Sequence, residues 1–158
     1  MPEDFAAVAA PAGLAARAAG RARTAAWLAK QVEVAVGQVE LSLPQYRVLG
    51  LLDEGSSASS AVAERLAVRP PSVTAVVDGL VARRLVTRRP EQGDRRRISL
   101  VLTPEGRRVL AAADAAADQR LGTIAGGLGS AEGGRALDDL GLWQQALVAH
   151  HRARTTRR

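Results

Sequence analysis

Between residues 61 and 102 the spacing of apolar side chains changes from a helical to a strand period, and this change constrains the fold more than any other feature. Residues 61–66 and 71–84 predict two short helices joined by a tight connection. The second helix carries an apolar stripe at i, i+3, i+4 and i+7: Val73, Val76, Val77 and Leu80. Residues 85–89 and 98–102 then predict two strands around a Gly93-Asp94 turn. A helix-turn-helix followed directly by a hairpin indicates a winged helix.

The face of the second helix opposite this stripe is small and polar, with Ser72, Ala75 and Gly79 on it and Thr74 and Asp78 beside it. Small side chains let a helix lie close to another surface, as a recognition helix does in the DNA major groove. The same pattern also suits a helical hairpin packed in a bundle. The following hairpin favours DNA, because its tip carries cations that can enter a minor groove or contact phosphates: Arg95, Arg96 and Arg97.

Positive charge is concentrated in the same segment. The 158-residue chain has 22 Lys and Arg against 16 Asp and Glu, a net charge of +6, and every base except Lys30 is arginine. Residues 65–108 hold 11 of these bases and 4 of the acids, a net +7, while the remainder holds 11 bases and 12 acids. Such a basic stretch is typical of a phosphate-binding surface, although a solvated arginine-rich face has the same composition.

Helices are predicted on both sides of the winged unit. Residues 14–39 have apolar side chains at helical spacing and no proline, and Ser42-x-x-Gln45 then predicts a capping box at the start of the next helix. After the hairpin, Thr103 is predicted to cap a long helix. A last helix is predicted from Ser130, and residues 152–158 are interpreted as a frayed basic tail.

The predicted fold class is mostly α with a small β-wing. Aromatic residues are only 3% of the chain, so the core is expected to consist of Ala, Leu and Val in closely packed helices. The terminal helices carry more apolar surface than one winged domain can cover, which predicts a homodimer. We expect a winged helix-turn-helix domain at residues 41–103, with dimerisation helices at 1–40 and 104–158.

Several other function classes have little support in the sequence. There is no cysteine, no phosphate-binding glycine loop and no serine elbow, so neither an enzyme nor a cofactor is expected. Adjacent His150 and His151 point to different sides of a helix, which disfavours a metal site; a metal-responsive regulator using His150 and a partner carboxylate is an alternative.

No sequence feature predicts export or membrane insertion. No apolar run reaches the roughly 18 residues that a membrane helix needs. Glu3 and Asp4 stand where a secretory signal is basic. A cytoplasmic protein without membrane association is therefore expected.

A set of short motifs spans residues 41–110: Leu41-Ser-x-x-Gln45, Ala61-Val-Ala-Glu-Arg-Leu-Ala-Val68, Ser72-Val-Thr74, Val77-Asp-x-Leu80, Leu85-Val86, Asp94-x-Arg96 and Leu102-Thr-Pro-x-Gly106. Together they resemble the MarR (multiple antibiotic resistance regulator) family, and the Asp-x-Arg wing at its fixed offset from Leu-Thr-x-x-Gly is the most specific part. The resemblance implies a homodimeric, sequence-specific transcriptional regulator, usually a repressor, that binds an inverted-repeat DNA operator.

By the same resemblance, 71–84 is the recognition helix and Arg96, held by Asp94, enters the minor groove. The implied DNA-binding residues are Arg69, Ser72, Thr74, Arg84, Asp94, Arg95, Arg96 and Arg97. Two positions depart from the family pattern. Ala75 stands where the family often has a base-reading polar residue, and Arg84 stands where glycine is common, which implies an extra phosphate contact or an altered turn.

The resemblance also implies a small-molecule crevice where the terminal helices meet the winged domain. Trp27, Tyr46 and Arg47 are candidate residues for binding a small aromatic anion that lowers DNA affinity. Core packing is the alternative role for the two rings. An architectural winged-helix protein without an effector is the alternative function, and it would lack the roughly 10³-fold site discrimination of a regulator.

Overall fold

A computed structural model describes residues 12–55, 58–66, 70–91 and 94–155 of the chain. The elements within these ranges are, in chain order, α1 (Ala12–Gly37), α2 (Leu43–Asp53), α3 (Ser59–Leu66), α4 (Pro70–Ala82), β1 (Val86–Glu91), β2 (Asp94–Leu102), α5 (Pro104–Gly126) and α6 (Ser130–Thr155). β1 and β2 pair antiparallel. The predicted class is confirmed: α2, α3, α4 and the hairpin form a winged helix-turn-helix, flanked by α1, α5 and α6.

The junction between α1 and α2 is closed by local hydrogen bonds. Glu40 adopts a left-handed φ of 58°, and the Leu41 N–H donates to the Val36 carbonyl at 3.1 Å, which ends α1. Ser42 Oγ accepts from the Gln45 N–H at 3.3 Å, and the Ser42 N–H donates to Gln45 Oε1 at 3.0 Å. The predicted capping box is therefore present and fixes the start of α2.

The core lies where α2, α3 and α4 meet the hairpin, the end of α1 and the first turns of α5. Its largest fully buried side chains are all aliphatic, as the scarcity of aromatic residues predicted: Leu49, Leu80, Leu100, Val36, Val48, Val62, Val77 and Val86. Burying one such side chain contributes about 1.5–3 kcal/mol. Because the predicted stripe of α4 points into this core, the inner face of the helix is fixed and its opposite face lies at the surface.

The start of α5 is tied to the α4–β1 corner. Thr103 Oγ1 donates to the Arg84 carbonyl at 2.7 Å and accepts the Gly106 N–H at 2.9 Å, so Thr103 caps α5 as predicted. A Cβ on Gly106 would overlap the carbonyl oxygen of Leu85. Only glycine therefore lets α5 begin this close to the corner, which explains the Leu-Thr-Pro-x-Gly spacing.

The long terminal helices extend away from this core. α5 packs along α1, where Arg120 donates to Gln31 Oε1 at 2.6 Å. α6 turns back onto the end of α5, and a Cβ on Gly133 would lie 2.5 Å from the Ala125 carbonyl oxygen. None of the described helices combines the length and the apolarity needed to cross a membrane.

Several predicted boundaries are wrong. The first helix ends at Gly37 and not at residue 39, and β2 begins at Asp94 and not at Ile98. The frayed tail does not begin at residue 152, because α6 continues to Thr155 and neither glycine nor proline interrupts 142–155. The recognition helix does not reach Arg84. It ends at Ala82 because Arg84 leaves the helical conformation.

Candidate nucleic-acid interface

The outer face of α4 presents small and polar side chains. Pro71, Thr74, Ala75 and Asp78 follow one another at i, i+3, i+4 and i+7 and are exposed, as is Ser72 beside them. Ser72 and Thr74 thus lie on the surface that the sequence predicted for the groove. No large side chain on this face would keep the α4 backbone away from a partner.

Arg84 ends α4 in a conformation that favours glycine. Its φ is 59°, the Leu85 N–H donates to the Leu80 carbonyl at 2.9 Å, and the Arg84 N–H donates to the Val81 carbonyl at 2.9 Å. These bonds form a Schellman motif with Arg84 at its left-handed position. The turn is therefore of the type that glycine forms, and the arginine adds an exposed cation beside α4.

The wing is a hairpin with an irregular tip. Pairing runs in register from Val86 and Leu102 to Pro90 and Ile98, and then shifts so that Glu91 faces Asp94. The shift leaves residues 95–97 as extra residues on β2, as in a β-bulge. The backbone of 94–97 belongs to β2.

Some predicted DNA-binding residues fall wholly or partly outside the described part of the chain. Arg69 lies outside it altogether. For Asp94, Arg95, Arg96 and Arg97 the backbone is described and the side chains are not. The structure therefore places these four residues in the wing by their backbone positions in β2.

Two arginines of this surface were missed by the sequence analysis. Arg88 Nη2 lies 2.5 Å from Asp78 Oδ1, which joins the wing to α4. Arg83 donates to the Glu40 carbonyl at 2.6 Å, which joins the end of α4 to the α1–α2 junction. Strand alternation was the available signal for Arg88, because it places this side chain on the same face of β1 as buried Val86.

A cleft of about 270 Å³ lies between α2, the end of α3 and α6. Its lining combines apolar side chains with three charged ones: Tyr46, Leu51, Leu66, Leu147, Val148, Arg47, Glu54 and Arg65. Two of the three predicted effector residues, Tyr46 and Arg47, thus line one cleft. Trp27 does not line it and is 75% exposed on α1, so the alternative of core packing is wrong for this ring.

Two polar contacts border this cleft. Arg65 Nη2 lies 2.5 Å from Glu54 Oε2, which connects α3 to the end of α2. The Tyr46 hydroxyl donates to Asp114 Oδ1 at 2.7 Å, which connects α2 to α5. Burial, and then the bond to Asp114, raises the pKa of Tyr46 above its ordinary value of 10.0, because both favour the protonated phenol over the phenolate.

The terminal helices expose large apolar side chains. They lie on α1, at the end of α5 and along α6: Trp27, Val34, Ile124, Leu128, Leu137, Leu140, Leu142, Trp143 and Leu147. Exposed apolar surface of this extent is typical of an interaction face. The described residues include no group of three His, Cys, Asp or Glu side chains placed to hold a metal ion.

Comparison with known proteins gives the family. No curated protein matches the chain, whereas the sequence model of the MarR family matches residues 40–97. CouR from Rhodococcus jostii RHA1, solved with p-coumaroyl-CoA, is 30% identical over 65% of this chain and 73% of its own, with a TM-score of 0.59.

Two further structures extend this likeness. A MarR-family transcriptional regulator from Rhodococcus sp. RHA1 is 27% identical over 75% of this chain and 85% of its own, with a TM-score of 0.63. The transcriptional repressor CouR bound to a 23-mer DNA duplex is 27% identical over 94% of this chain and 99% of its own, with a TM-score of 0.66. With its winged unit, its Asp-x-Arg hairpin and these relatives, the chain belongs to the MarR family of transcriptional regulators.

Proposed function

We propose that this protein is a homodimeric transcriptional repressor that binds an inverted-repeat DNA operator and releases it when a small anionic ligand binds. The observation that carries the proposal is the exposed, small and polar face of α4 beside an arginine-rich hairpin. The likeness to CouR, which was solved on a DNA duplex, supports it.

In this proposal α4 enters the major groove and the wing contacts the neighbouring minor groove. Ser72 and Thr74 are the polar groups nearest the base edges, and Ala75 contacts bases by shape or through thymine methyl groups. Arg84 and Arg69 bind backbone phosphates. In the wing, Asp94 orients Arg96 towards the minor groove, with Arg95 and Arg97 beside it.

The proposed dimer is formed by the terminal helices. Their exposed apolar side chains would be buried between two copies of the chain, and a twofold axis would place the two α4 helices about 34–36 Å apart on one side of the duplex. The operator is therefore expected to be an inverted repeat whose half-sites are one helical turn apart.

The proposed effector site is the cleft between α2, α3 and α6. Its volume of about 270 Å³ lies just below the roughly 300–1,000 Å³ range of ligand pockets, which suits a single-ring aromatic acid. The ring would pack on Tyr46 and Leu66, and the carboxylate would pair with Arg47 or compete with Glu54 for Arg65. Because Glu54 and Arg65 connect α2 to α3, this competition would shift the helices that hold α4.

Footprinting on the DNA that flanks the protein's own gene tests the DNA-binding part. A protected inverted repeat, bound at least about 10³-fold more tightly than random duplex, is expected for a regulator. Uniform binding without a protected repeat would overturn the proposal in favour of an architectural winged-helix protein.

Titration with salicylate, followed by Trp fluorescence and by operator affinity, tests the effector part. The expected result is a fall in operator affinity that Arg47→Ala abolishes and that the control Trp27→Phe retains, since Trp27 lies outside the cleft. An operator affinity that stays constant up to about millimolar salicylate, a concentration at which even weak ligands bind, would exclude this class of effector.

A further inference from the structure

The corner between α4 and β1 contains an ion pair between Arg88 and Asp78. Arg88 lies opposite Leu100 and two residues from Val86, and both of these apolar residues are buried. Arg88 therefore continues the inner row of the hairpin, on the face that packs towards α4. Its Nη2 lies 2.5 Å from Asp78 Oδ1, and the two side chains remain 40% and 56% exposed.

Asp78 is an unexpected residue for its position. It shares the outer face of α4 with Thr74 and Ala75, the face that the proposed function turns towards DNA. A carboxylate on this face is repelled by the phosphates of the duplex unless a cation neutralises it. Arg88 supplies that cation, and in return Asp78 fixes the guanidinium at the mouth of the proposed groove contact.

We propose that Asp78 is a positioning residue for DNA binding, which holds Arg88 at the α4–β1 corner so that the guanidinium binds a backbone phosphate of the operator. The inference rests on the proposed function. A guanidinium has five N–H donors in a planar fork, so a contact with Asp78 leaves other donors for a phosphate. A guanidinium that is already fixed also loses less conformational freedom on binding.

The direction in which Asp78→Asn changes the DNA affinity distinguishes this role from that of an ordinary surface charge. Asp78→Asn removes a negative charge next to DNA, so a residue without a positioning role would bind more tightly after the change. If Asp78 positions Arg88, the same substitution weakens binding. Exposed ion pairs contribute little to folding stability, so the variant is expected to fold.

The experiment measures duplex binding by fluorescence anisotropy over a range of salt concentrations. Two probes of about 30 base pairs are used, long enough for two half-sites: one carries the footprinted repeat and one has random sequence. Arg88→Ala and Asp78→Asn are each expected to weaken binding about tenfold for each protomer, and so about a hundredfold for the dimer, the loss implied by one charge-assisted hydrogen bond per protomer. Both probes are affected, since a phosphate contact is independent of sequence, and the salt slope falls by about one for each protomer.

Three further variants make the assignment specific. In the Arg88→Ala background, Asp78→Asn is expected to have no additional weakening effect. Asp78→Glu keeps a carboxylate within reach and is expected to restore part of the affinity. Glu105→Gln is the control, because it removes the partner of Arg108 in a matched exposed ion pair at the start of α5 and is expected to leave DNA affinity unchanged.

Each outcome decides one of the two proposals. Equal or tighter DNA binding by Asp78→Asn would overturn the positioning role and leave the proposed function intact. A wild-type protein without sequence-selective DNA binding would overturn the proposed function and this inference with it. If thermal denaturation shows that Asp78→Asn is unfolded, Asp78→Ser takes its place with the same expected sign.

Discussion

Arg84 has a backbone conformation that costs a residue with a Cβ about 1–2 kcal/mol, because its φ is 59°. Glycine has no such penalty. Its greater conformational freedom in the unfolded chain, however, lowers the free energy of unfolding by about 0.4–1 kcal/mol. Arg84→Gly is therefore expected to raise the free energy of unfolding by about 0.5 kcal/mol or slightly more, measured by urea denaturation.

Arg84→Ala is the matched control, because it removes the same cation and retains the strain. Both variants are expected to lose the same amount of DNA affinity, since the proposed phosphate contact belongs to the side chain. Equal stability of the two variants would contradict the strain argument, and unchanged DNA binding in both would remove Arg84 from the interface.

Gly106 is constrained by the close approach of α5 to the α4–β1 corner. Because an added Cβ would overlap the Leu85 carbonyl oxygen, Gly106→Ala is expected to lower the free energy of unfolding by at least about 2 kcal/mol. Gly122→Ala in the same helix has open space around the added Cβ and is expected to raise the free energy of unfolding by up to about 1 kcal/mol. A similar result for both variants in thermal denaturation would show that the corner can relax.

At the scale of elements, the wing and the start of α5 are adjacent basic segments with different expected roles. Arg96→Ala is expected to weaken operator binding and to reduce its salt slope by about one for each protomer. Arg107→Ala is expected to have a smaller effect, because Arg107 donates to the Leu102 carbonyl at 3.3 Å behind the hairpin. Equal and small effects in an electrophoretic mobility assay would mean that the wing does not contact DNA.

The hydrogen bond between Tyr46 on α2 and Asp114 on α5 leads to a prediction about how folding stability depends on pH. Tyr46 has a raised pKa in the folded state, so the folded protein retains the phenolic proton at a pH where the unfolded chain loses it. The stabilising contribution is complete below pH 10 and is lost as pH rises from there through the folded-state pKa. Urea denaturation above pH 10 is therefore expected to show a steeper loss of stability in the wild type than in Tyr46→Phe.

This titration can be observed directly because the chain contains a single tyrosine. The absorbance of tyrosinate is expected to develop at a higher pH in the folded protein than in urea. Coincident titration curves for the folded and unfolded protein would contradict a buried Tyr46 that donates to Asp114.

At the scale of the whole molecule, the exposed apolar residues of α6 predict that association and folding are coupled. The wild type is expected to sediment as a dimer at micromolar concentration and to show a Tm that rises with protein concentration. Trp143→Glu places a charge in this face and is expected to shift sedimentation towards the monomer and lower the Tm.

Gln145→Glu on the same exposed helix is the control for added charge. The Gln145→Glu variant is expected to remain dimeric, because the proposed interface contains Trp143 and does not contain Gln145. A stable wild-type monomer would contradict the proposed dimer and would also remove the geometric basis for an inverted-repeat operator.

The sequence by itself determined the features that depend on neighbouring residues. The capping box of Ser42 and Gln45, the Thr103 cap and the stripe of α4 form within a few residues, so local hydrogen bonds and hydrophobic period specify them. The order of helices and hairpin, and therefore the fold class, followed from these local signals. The conformation of Arg84 was only partly accessible, since the sequence shows an arginine where glycine is usual and does not show that the left-handed turn persists.

Tertiary structure alone decided which distant residues meet. Arg88 and Asp78 come from a strand and a helix, and Tyr46 and Asp114 are 68 positions apart, so no local pattern pairs them. The cleft that contains Tyr46 is lined by residues of α2, α3 and α6, which are distant in sequence, whereas Trp27 lies exposed on α1 outside it. Local signals fix elements because their bonds span a few residues, whereas a site is made by side chains that the folded core brings together.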